Sequence, residues 1–140
     1  LEDFYLGYMK NQLAAGEFVC ALDVPRAVPG QAVQAYKVSK RHDSDISAVC
    51  AGLSLRLEGQ RIADVRLAFG GLAAIVKRAT LQAAVNALAL DFQPLTDMRA
   101  SAGYRQQVAA NLLRRFWLQT RPTDPLPDAA LSVWACEAAP

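Results

Sequence analysis

The sequence has little of what a metal or disulfide site requires. It contains one histidine, His42, and three widely spaced cysteines, Cys20, Cys50 and Cys136. An odd number of distant cysteines forms neither a disulfide framework nor a C-x-x-C metal knuckle. A single histidine excludes a histidine-rich metal site, and its place in a polar stretch argues against a Ser-His-Asp triad. We therefore expect reduced thiols in a cytoplasmic protein and no metal ligands in this chain.

Long apolar runs, a strong net charge and a secretion signal are also missing. Charged residues such as Arg56, Glu58 and Arg61 interrupt every apolar stretch before it reaches the roughly 18 to 20 residues of a membrane span. The net charge of +2 is too small to indicate a nucleic-acid partner. With 140 residues, of which 53% are hydrophobic, the chain suffices for one folded domain. We expect a soluble domain that is a piece of a longer protein, because it starts at Leu1 without a signal segment.

The first third of the chain contains two segments with the composition of strands. Residues 17–24 are rich in β-forming side chains and end at Pro25, and residues 31–39 form a second extended segment. Residues 40–45 are polar throughout and predict a loop. Residues 1–15 carry several aromatic side chains and predict a short helix or turn.

A β-hairpin is the strongest strand prediction. Leu53, Leu55 and Leu57 alternate with polar residues, and the apolar positions of residues 61–69 do the same with one slip. This alternation is typical of two strands with one face exposed to water. The following Gly70-Gly71 pair lacks the spacing of a dinucleotide-binding fingerprint, so we assign it a structural role.

Two helices are predicted after the hairpin. Residues 77–90 are rich in alanine, and residues 101–120 place apolar side chains at three- and four-residue spacings. We expect Asp97 or Ser101 to cap the second helix and Arg99 to pair with a carboxylate. Strands followed by helices predict an α+β fold in which a small antiparallel sheet is covered on one face by helices.

The end of the chain is predicted to be an extended tail over residues 121–140. Pro122, Pro125 and Pro127 prevent continuation of the helix. Trp134 is the large apolar residue of this segment, and we expect it to dock on the body of the domain or on a partner.

Three stretches of sequence, taken in order, carry a resemblance to one family. They are residues 36–49 (YKVSKRHDSDISAV), 66–73 (RLAFGGLA) and 94–105 (PLTDMRASAGYR), and residues 111–117 (NLLRRFW) add a fourth similarity. Together they resemble the C-terminal domain of the FAD-binding subunit of molybdenum hydroxylases, and are most similar to the small subunit of the bacterial xanthine dehydrogenase type. The resemblance covers residues 4–120.

The resemblance implies a fold and a function. The fold is like the CO dehydrogenase flavoprotein C-terminal domain, with three to four strands and about three helices over residues 16–120, preceded by a linker from an FAD domain at residues 1–15. In this family a molybdenum centre on the large subunit oxidises a purine, 2Fe-2S clusters relay the electrons, and FAD passes them to NAD. The chain would form one wall of the flavin site and catalyse nothing alone, since the iron–sulfur and FAD-pyrophosphate domains would lie upstream.

The sequence departs from the family pattern at two places. After Ala79, where relatives continue with a further helix, on the order of a dozen or more residues are missing, comparable to a loop with a short helix. This is either a true deletion or an omission from the sequence. Ser44 stands where relatives often carry an acidic residue, which weakens inferences about charge near the flavin.

The resemblance also names candidate flavin-site residues. Lys37 and Val19 match positions that approach the flavin in relatives, and Arg41, His42 and Asp43 belong to a loop beside it. On sequence pattern alone, Lys37 is equally well a solvated lysine, Val19 a core residue and the loop a solvated turn. A cation near the flavin ring would stabilise the negative charge that develops on its N1 and C2 carbonyl region during reduction.

Two other functions remain open. The chain could belong to the flavoprotein subunit of a carbon monoxide, aldehyde or nicotinate hydroxylase, because the substrate is selected on the molybdenum subunit. It could also be an interaction module that has lost FAD. Four-cysteine cluster motifs and a glycine-rich FAD segment upstream would support the electron-transfer subunit.

Overall fold

The main element of the structure is a four-stranded antiparallel sheet. A computed structural model describes residues 2–41, 44–73, 75, 77–78, 88 and 91–131. A 3₁₀ turn at Glu2–Phe4 and a two-stranded sheet of β1 (Tyr5–Gly7) and β2 (Lys10–Asn11) come first. The main sheet then has the order β3 (Gln31–Val38), β4 (Val49–Glu58), β5 (Arg61–Gly70) and β6 (Lys77–Arg78). The helix α1 (Ala102–Thr120) packs against β4 and β3, and a 3₁₀ turn at Asp128–Leu131 follows.

The predicted hairpin is formed by β4 and β5, and its slip is a β-bulge. Arg56 pairs with Asp64 whereas Leu57 pairs with Ile62, so Ala63 is one extra residue on β5. On β4 the alternation is regular, because Val49, Ala51, Leu53 and Leu55 are buried while the residues between them are exposed or half-buried. The sheet therefore has one dry face and one wet face, as predicted.

The core lies between the dry face of this sheet and helix α1. The rings of Phe69 on β5 and Phe92 meet edge to face with centroids 5.7 Å apart. Burying each side chain of this size stabilises the fold by about 1.5–3 kcal/mol. The buried apolar side chains are Ala48, Val49, Ala51, Leu53, Leu55, Leu67, Phe69, Leu72, Leu88, Phe92, Ala109, Leu112, Leu113 and Phe116. The predicted α+β class is confirmed.

Helix α1 begins where the sequence predicts. The Ser101 hydroxyl oxygen accepts a hydrogen bond from the Tyr104 backbone N–H at 3.2 Å, which satisfies one of the free amides of the first turn. Arg99 pairs with Asp97 at 3.6 Å, as expected for a carboxylate partner. No helix among the described residues is long and apolar enough to cross a membrane.

The strand prediction over residues 17–24 is wrong. Residues 17–24 form no strand, and every residue from 8 to 30 is exposed. A β-forming sequence becomes a strand only when another strand offers hydrogen-bond partners, and none does so here within the described residues. The short helix or turn predicted within residues 1–15 corresponds to the 3₁₀ turn at Glu2–Phe4 and to the turn between β1 and β2, whereas the strand pair itself was not predicted.

The helix prediction over residues 77–90 is wrong at its start. Lys77 and Arg78 pair with Phe69 and Ala68 as β6, because the open edge of β5 offers backbone hydrogen bonds that helix propensity does not outweigh. Most of the remainder, including the position after Ala79, lies outside the described residues. Residues 121–127 contain no regular element, but Asp128–Leu131 form a 3₁₀ turn where the predicted tail is extended throughout, and Trp134 lies outside the described residues.

One buried charge holds the helix against the ends of the strands. Arg105 of α1 is 4% exposed, and its Nη1 donates to the carbonyl oxygens of Ala48 and, at 3.0 Å, Gly71. Its Nη2 donates to Asp97 Oδ1 at 2.6 Å. The buried guanidinium thus has a carboxylate partner and two carbonyl partners, which offset the cost of removing it from water.

Asp97 is organised to remain charged. Its carboxylate accepts hydrogen bonds from the backbone N–H groups of Ala100 at 3.1 Å and Arg99 at 2.8 Å. These backbone hydrogen bonds, followed by the one from Arg105, lower the pKa of Asp97 from 3.8 to about 2. The carboxylate is therefore ionised at every pH above this value.

We predict that Gly71→Ala destabilises the fold more than Gly59→Ala. Both glycines have positive φ, +86° and +62°, so alanine costs about 1–2 kcal/mol in backbone strain at either position. A Cβ at Gly71 would also collide with the Ala48 carbonyl and lie 3.0 Å from Arg105 Nη1, whereas at Gly59 it meets nothing within 4 Å. Urea unfolding should show a loss of about 3 kcal/mol or more for Gly71→Ala. Equal losses in the two variants would contradict the close approach.

We predict an acid-dependent loss of stability that Asp97→Asn reduces. The pKa of Asp97 is lower in the folded chain than in the unfolded chain, so its contribution is present above about pH 4 and is lost as the pH falls toward 2. Thermal unfolding measured from pH 6 to pH 2 should show a smaller decline for Asp97→Asn than for the parent chain. Parallel curves would mean that the carboxylate contributes nothing to this dependence.

Candidate functional site

Lys37 lies on the wet face of the sheet, one residue before the end of β3. Its neighbours Tyr36 and Val38 pack against the core, so the alternation of the strand places Lys37 on the opposite face. In the register of the sheet Lys37 pairs with Cys50, which in turn pairs with Gly70. Within the described residues no carboxylate forms an ion pair with Lys37.

The surface beside Lys37 is made of small side chains. One step along the same face, Ala35 pairs with Gly52 and Gly52 pairs with Ala68. Of these neighbours Ala35 and Gly52 are exposed and leave the sheet low and open next to the lysine, whereas Cys50 is half-buried and Gly70 is buried. A planar group can approach the backbone closely on such a surface, because few side-chain atoms stand in its way.

The polar loop that follows β3 is organised by Asp45. The Asp45 carboxylate accepts hydrogen bonds from the Arg41 backbone N–H at 3.0 Å and from the Ile46 backbone N–H at 3.0 Å. It also pairs with the Arg41 guanidinium at 3.3 Å. These contacts lower the pKa of Asp45, with the hydrogen bonds from Arg41 as the main cause. The predicted loop is thus an ordered turn in its described part, with the Arg41 side chain 73% exposed.

Two cavities open at this end of the sheet. One of about 380 Å³ is lined by Ile46, Cys50, Gly70 and Arg105, among others. The other, of about 490 Å³, is lined by residues that include Arg41, Asp45 and Ile46. Ile46 lines both cavities, whereas Lys37 lines neither of them.

The structure places the predicted site residues in different elements. Lys37 is in β3, and Arg41 follows three residues after the end of that strand, where it pairs with Asp45. Val19 is 52% exposed in an irregular segment and lines neither cavity described above. It is therefore not a core residue of this chain. His42 and Asp43 lie outside the described residues.

Cys50 and Ile46 belong to this surface and were not singled out from the sequence. The alternation of β4 does place Cys50 on the wet face, opposite the leucines, so the signal was present in the pattern. Ile46 is 63% exposed at the end of the polar loop. In the sequence pattern, an isoleucine at this position indicates only the start of a strand. In the part of the chain that the structure describes, no cluster of histidine, cysteine and carboxylate side chains could hold a metal ion.

A family profile covers most of the folded part of the chain. The profile of the CO dehydrogenase flavoprotein C-terminal domain matches residues 34–80 and 75–120, so the match includes the whole main sheet from Gln34 onward and helix α1. Its two segments overlap at residues 75–80, next to the departure after Ala79. Lys37, Arg41, Cys50 and Arg105 all lie within the matched region.

Relatives by sequence are xanthine dehydrogenases. The enzyme of Blastobotrys adeninivorans is 43% identical over 74 residues, which is 51% of this chain and 5% of that protein. The enzyme of Emericella nidulans is 29% identical over 136 residues, which is 84% of this chain and 10% of that protein. The chain therefore spans a small fraction of the length of these relatives.

Solved structures share the fold at low sequence identity. A carbon monoxide dehydrogenase from Hydrogenophaga pseudoflava has a TM-score of 0.72 and 21% identity, with 81% of this chain and 44% of that chain covered. Quinoline 2-oxidoreductase from Pseudomonas putida 86 has a TM-score of 0.69 and 22% identity, with 89% and 48% covered. The profile match, with these folds in support, shows that the chain belongs to the CO dehydrogenase flavoprotein C-terminal domain family, the C-terminal domain of the FAD-binding subunit of molybdenum hydroxylases.

Proposed function

We propose that this chain forms one wall of the FAD site in a molybdenum hydroxylase of the xanthine dehydrogenase type. The observation that carries the proposal is the position of Lys37, unpaired with any described carboxylate, beside the small-residue surface of Cys50, Gly52 and Gly70. This arrangement offers an approachable sheet surface and a free cation to a planar ring that becomes negatively charged. It lies inside the region that matches the flavoprotein family.

The residues of this chain that would hold the cofactor are Lys37 and Arg41, with His42, Asp43 and Val19 as further candidates. When bound, FAD supplies the redox chemistry that takes electrons from iron–sulfur clusters and passes them to NAD. The Lys37 ammonium would stabilise the negative charge on the N1 and C2 carbonyl region of the reduced ring. The Arg41 guanidinium, oriented by Asp45, would add positive charge at the rim of the same site.

Sequence similarity favours xanthine as the substrate of the whole enzyme. The relatives with the higher identities are xanthine dehydrogenases, in which the present region is about 5 to 10% of the protein. We therefore infer an oxidoreductase of purine catabolism in the cytoplasm, with NAD as the electron acceptor. The 2Fe-2S clusters and the molybdenum cofactor would be held by other domains, so this chain alone would not be catalytic.

The exposed apolar surface supports upstream partner domains. In the segment before β3, Phe18, Leu22 and Val24 are 78%, 70% and 83% exposed. Large apolar side chains grouped along one segment are costly to leave in water and mark a surface that another domain covers. The FAD-pyrophosphate domain is the partner that we propose for it, with the iron–sulfur domain and the molybdenum-binding large subunit completing the enzyme.

A second candidate is the flavoprotein subunit of a carbon monoxide, aldehyde or nicotinate hydroxylase. The fold matches to carbon monoxide dehydrogenases and quinoline 2-oxidoreductase favour it, although at 21% to 22% identity they show the fold alone. A steady-state assay of the assembled enzyme with xanthine, carbon monoxide and aldehydes distinguishes the two. A complete reading frame without cluster cysteines or an FAD-pyrophosphate segment would instead indicate an interaction module.

We predict that Lys37→Met in the complete subunit lowers the two-electron potential of the flavin. Methionine keeps much of the packing of the lysine stem but removes the cation that stabilises the reduced ring. A loss of about 1 to 2 kcal/mol corresponds to roughly 20 to 45 mV, at about 30 mV per 1.4 kcal/mol. A redox titration of the variant beside the parent measures the shift.

Arg61→Met is the matched control for Lys37→Met. It removes the same charge from the opposite end of the hairpin, where the Arg61 side chain is 82% exposed. Its flavin potential should equal that of the parent. NAD reduction should change in Lys37→Met, while oxidation of the substrate with an acceptor that takes electrons upstream of FAD should not. An unchanged potential together with unchanged NAD kinetics would mean that Lys37 is a solvated lysine.

A further inference from the structure

The polar loop and the residues that follow it contact one other segment of the chain, residues 97–105. At the start of the loop, Lys40 Nζ donates to the Met98 carbonyl oxygen at 2.7 Å. Three residues beyond its end, Arg105 donates to the carbonyl oxygen of Ala48, the residue before β4. Ala48 is thus held twice, because its backbone N–H also donates to the Val38 carbonyl oxygen of β3 at 2.8 Å.

Arg105 is the stronger of these two attachments. It is buried and its guanidinium joins the Ala48 and Gly71 carbonyls to the Asp97 carboxylate, whereas Lys40 is exposed. A charge-assisted hydrogen bond in a buried setting holds its partners in a narrower range of positions than one in water. The Ala48 carbonyl is two residues from Ile46, whose backbone N–H is bound by Asp45, the residue that also binds Arg41.

A path of side-chain contacts and a short stretch of backbone thus runs from Asp97 to Arg41. Asp97 is fixed by the Arg99 and Ala100 amides and pairs with Arg105 at 2.6 Å. Arg105 fixes Ala48, and the short segment after the Asp45 turn connects Ala48 to Arg41. Arg105 also lines the cavity beside Cys50 and Gly70, so its own charge and the loop are two separate routes to the proposed flavin site, which the test below distinguishes.

We propose that the Asp97–Arg105 pair is a positioning unit that sets where the polar loop places Arg41 at the edge of the flavin wall. The inference rests on the proposed function. The pair acts on the flavin potential by positioning Arg41 and not by its own charge. Loss of the pair would let the loop move away and would remove the contribution of Arg41 to the flavin potential.

The test is a double-mutant cycle on the flavin potential in the complete FAD-loaded subunit. Arg41→Met should decrease the equilibrium constant for two-electron flavin reduction three- to tenfold, which is about 14 to 30 mV. Arg105→Met should decrease it by a similar factor. The double variant should show no more than the larger single effect, because the residues act in series.

Asp97→Asn separates loop movement from direct electrostatics. Removing a negative charge would by itself raise the flavin potential, so a two- to threefold decrease in the equilibrium constant identifies movement of the loop. This decrease should vanish in the Arg41→Met background. If Arg105→Met gives no folded subunit, the Asp97→Asn cycle decides the question alone, because Asp97 is partly exposed and asparagine keeps its size.

Arg115→Met is the matched control on the same helix. Arg115 lies over the Tyr36 ring at 5.3 Å and donates to the Leu131 carbonyl at 3.3 Å, so it fastens α1 to β3 and the tail without touching the loop. It should lower thermal stability and leave the flavin potential unchanged.

The outcomes separate this inference from the proposed function. A parent subunit that binds no FAD overturns the proposed function. A subunit that binds FAD, but in which Arg105→Met and Asp97→Asn leave the potential unchanged, overturns only the positioning role. Additive shifts in the cycle, or a potential that falls equally in Arg115→Met, overturn it as well.

Discussion

The buried guanidinium of Arg105 is the interaction on which the arrangement of this domain depends. It joins three parts of the chain that are distant in sequence: the start of β4, the end of β5 and the loop before helix α1. Apolar packing between the helix and the sheet is not directional, and it would tolerate small shifts of one against the other. A planar guanidinium with fixed donors does not tolerate such shifts. The ion pair therefore defines the position of the helix relative to the sheet, whereas apolar burial holds the core together.

The same arrangement determines what the wet face of the sheet presents. Arg105 holds Ala48 and Gly71. The cross-strand neighbours Lys37, Cys50 and Gly70 form the row of the sheet next to these two residues. A residue with a Cβ does not fit at position 71, because the φ of +86° and the approach of the Ala48 carbonyl both disfavour a side chain there. The dry face therefore builds the core, while the wet face carries Lys37 and the small side chains beside it.

The sequence predicted those parts of the fold whose information is local. The β4–β5 hairpin, its bulge at Ala63 and the Ser101 cap follow from alternation and from capping chemistry. Residues 17–24 and Lys77-Arg78 were predicted wrongly because strand formation depends on whether an edge is available, and no local pattern reports that. The burial of Arg105 could not be predicted from local pattern, since it results from contacts with residues 57 and 34 positions away. For the candidate site, Lys37 and Arg41 came from family resemblance, whereas their proximity to Ile46 and Cys50 required the structure.

The central claim is that FAD lies against this chain at the row formed by Lys37, Cys50 and Gly70. Hydrogen exchange of the complete subunit, compared with and without FAD, tests it most directly, because backbone amides that a cofactor covers exchange more slowly. The account predicts slower exchange with FAD at the end of β3, in the described part of the polar loop and at the first residues of β4, with no change at the β4–β5 turn around Gly59. Equal exchange at these positions in the two states, with protection confined to other domains, would contradict it.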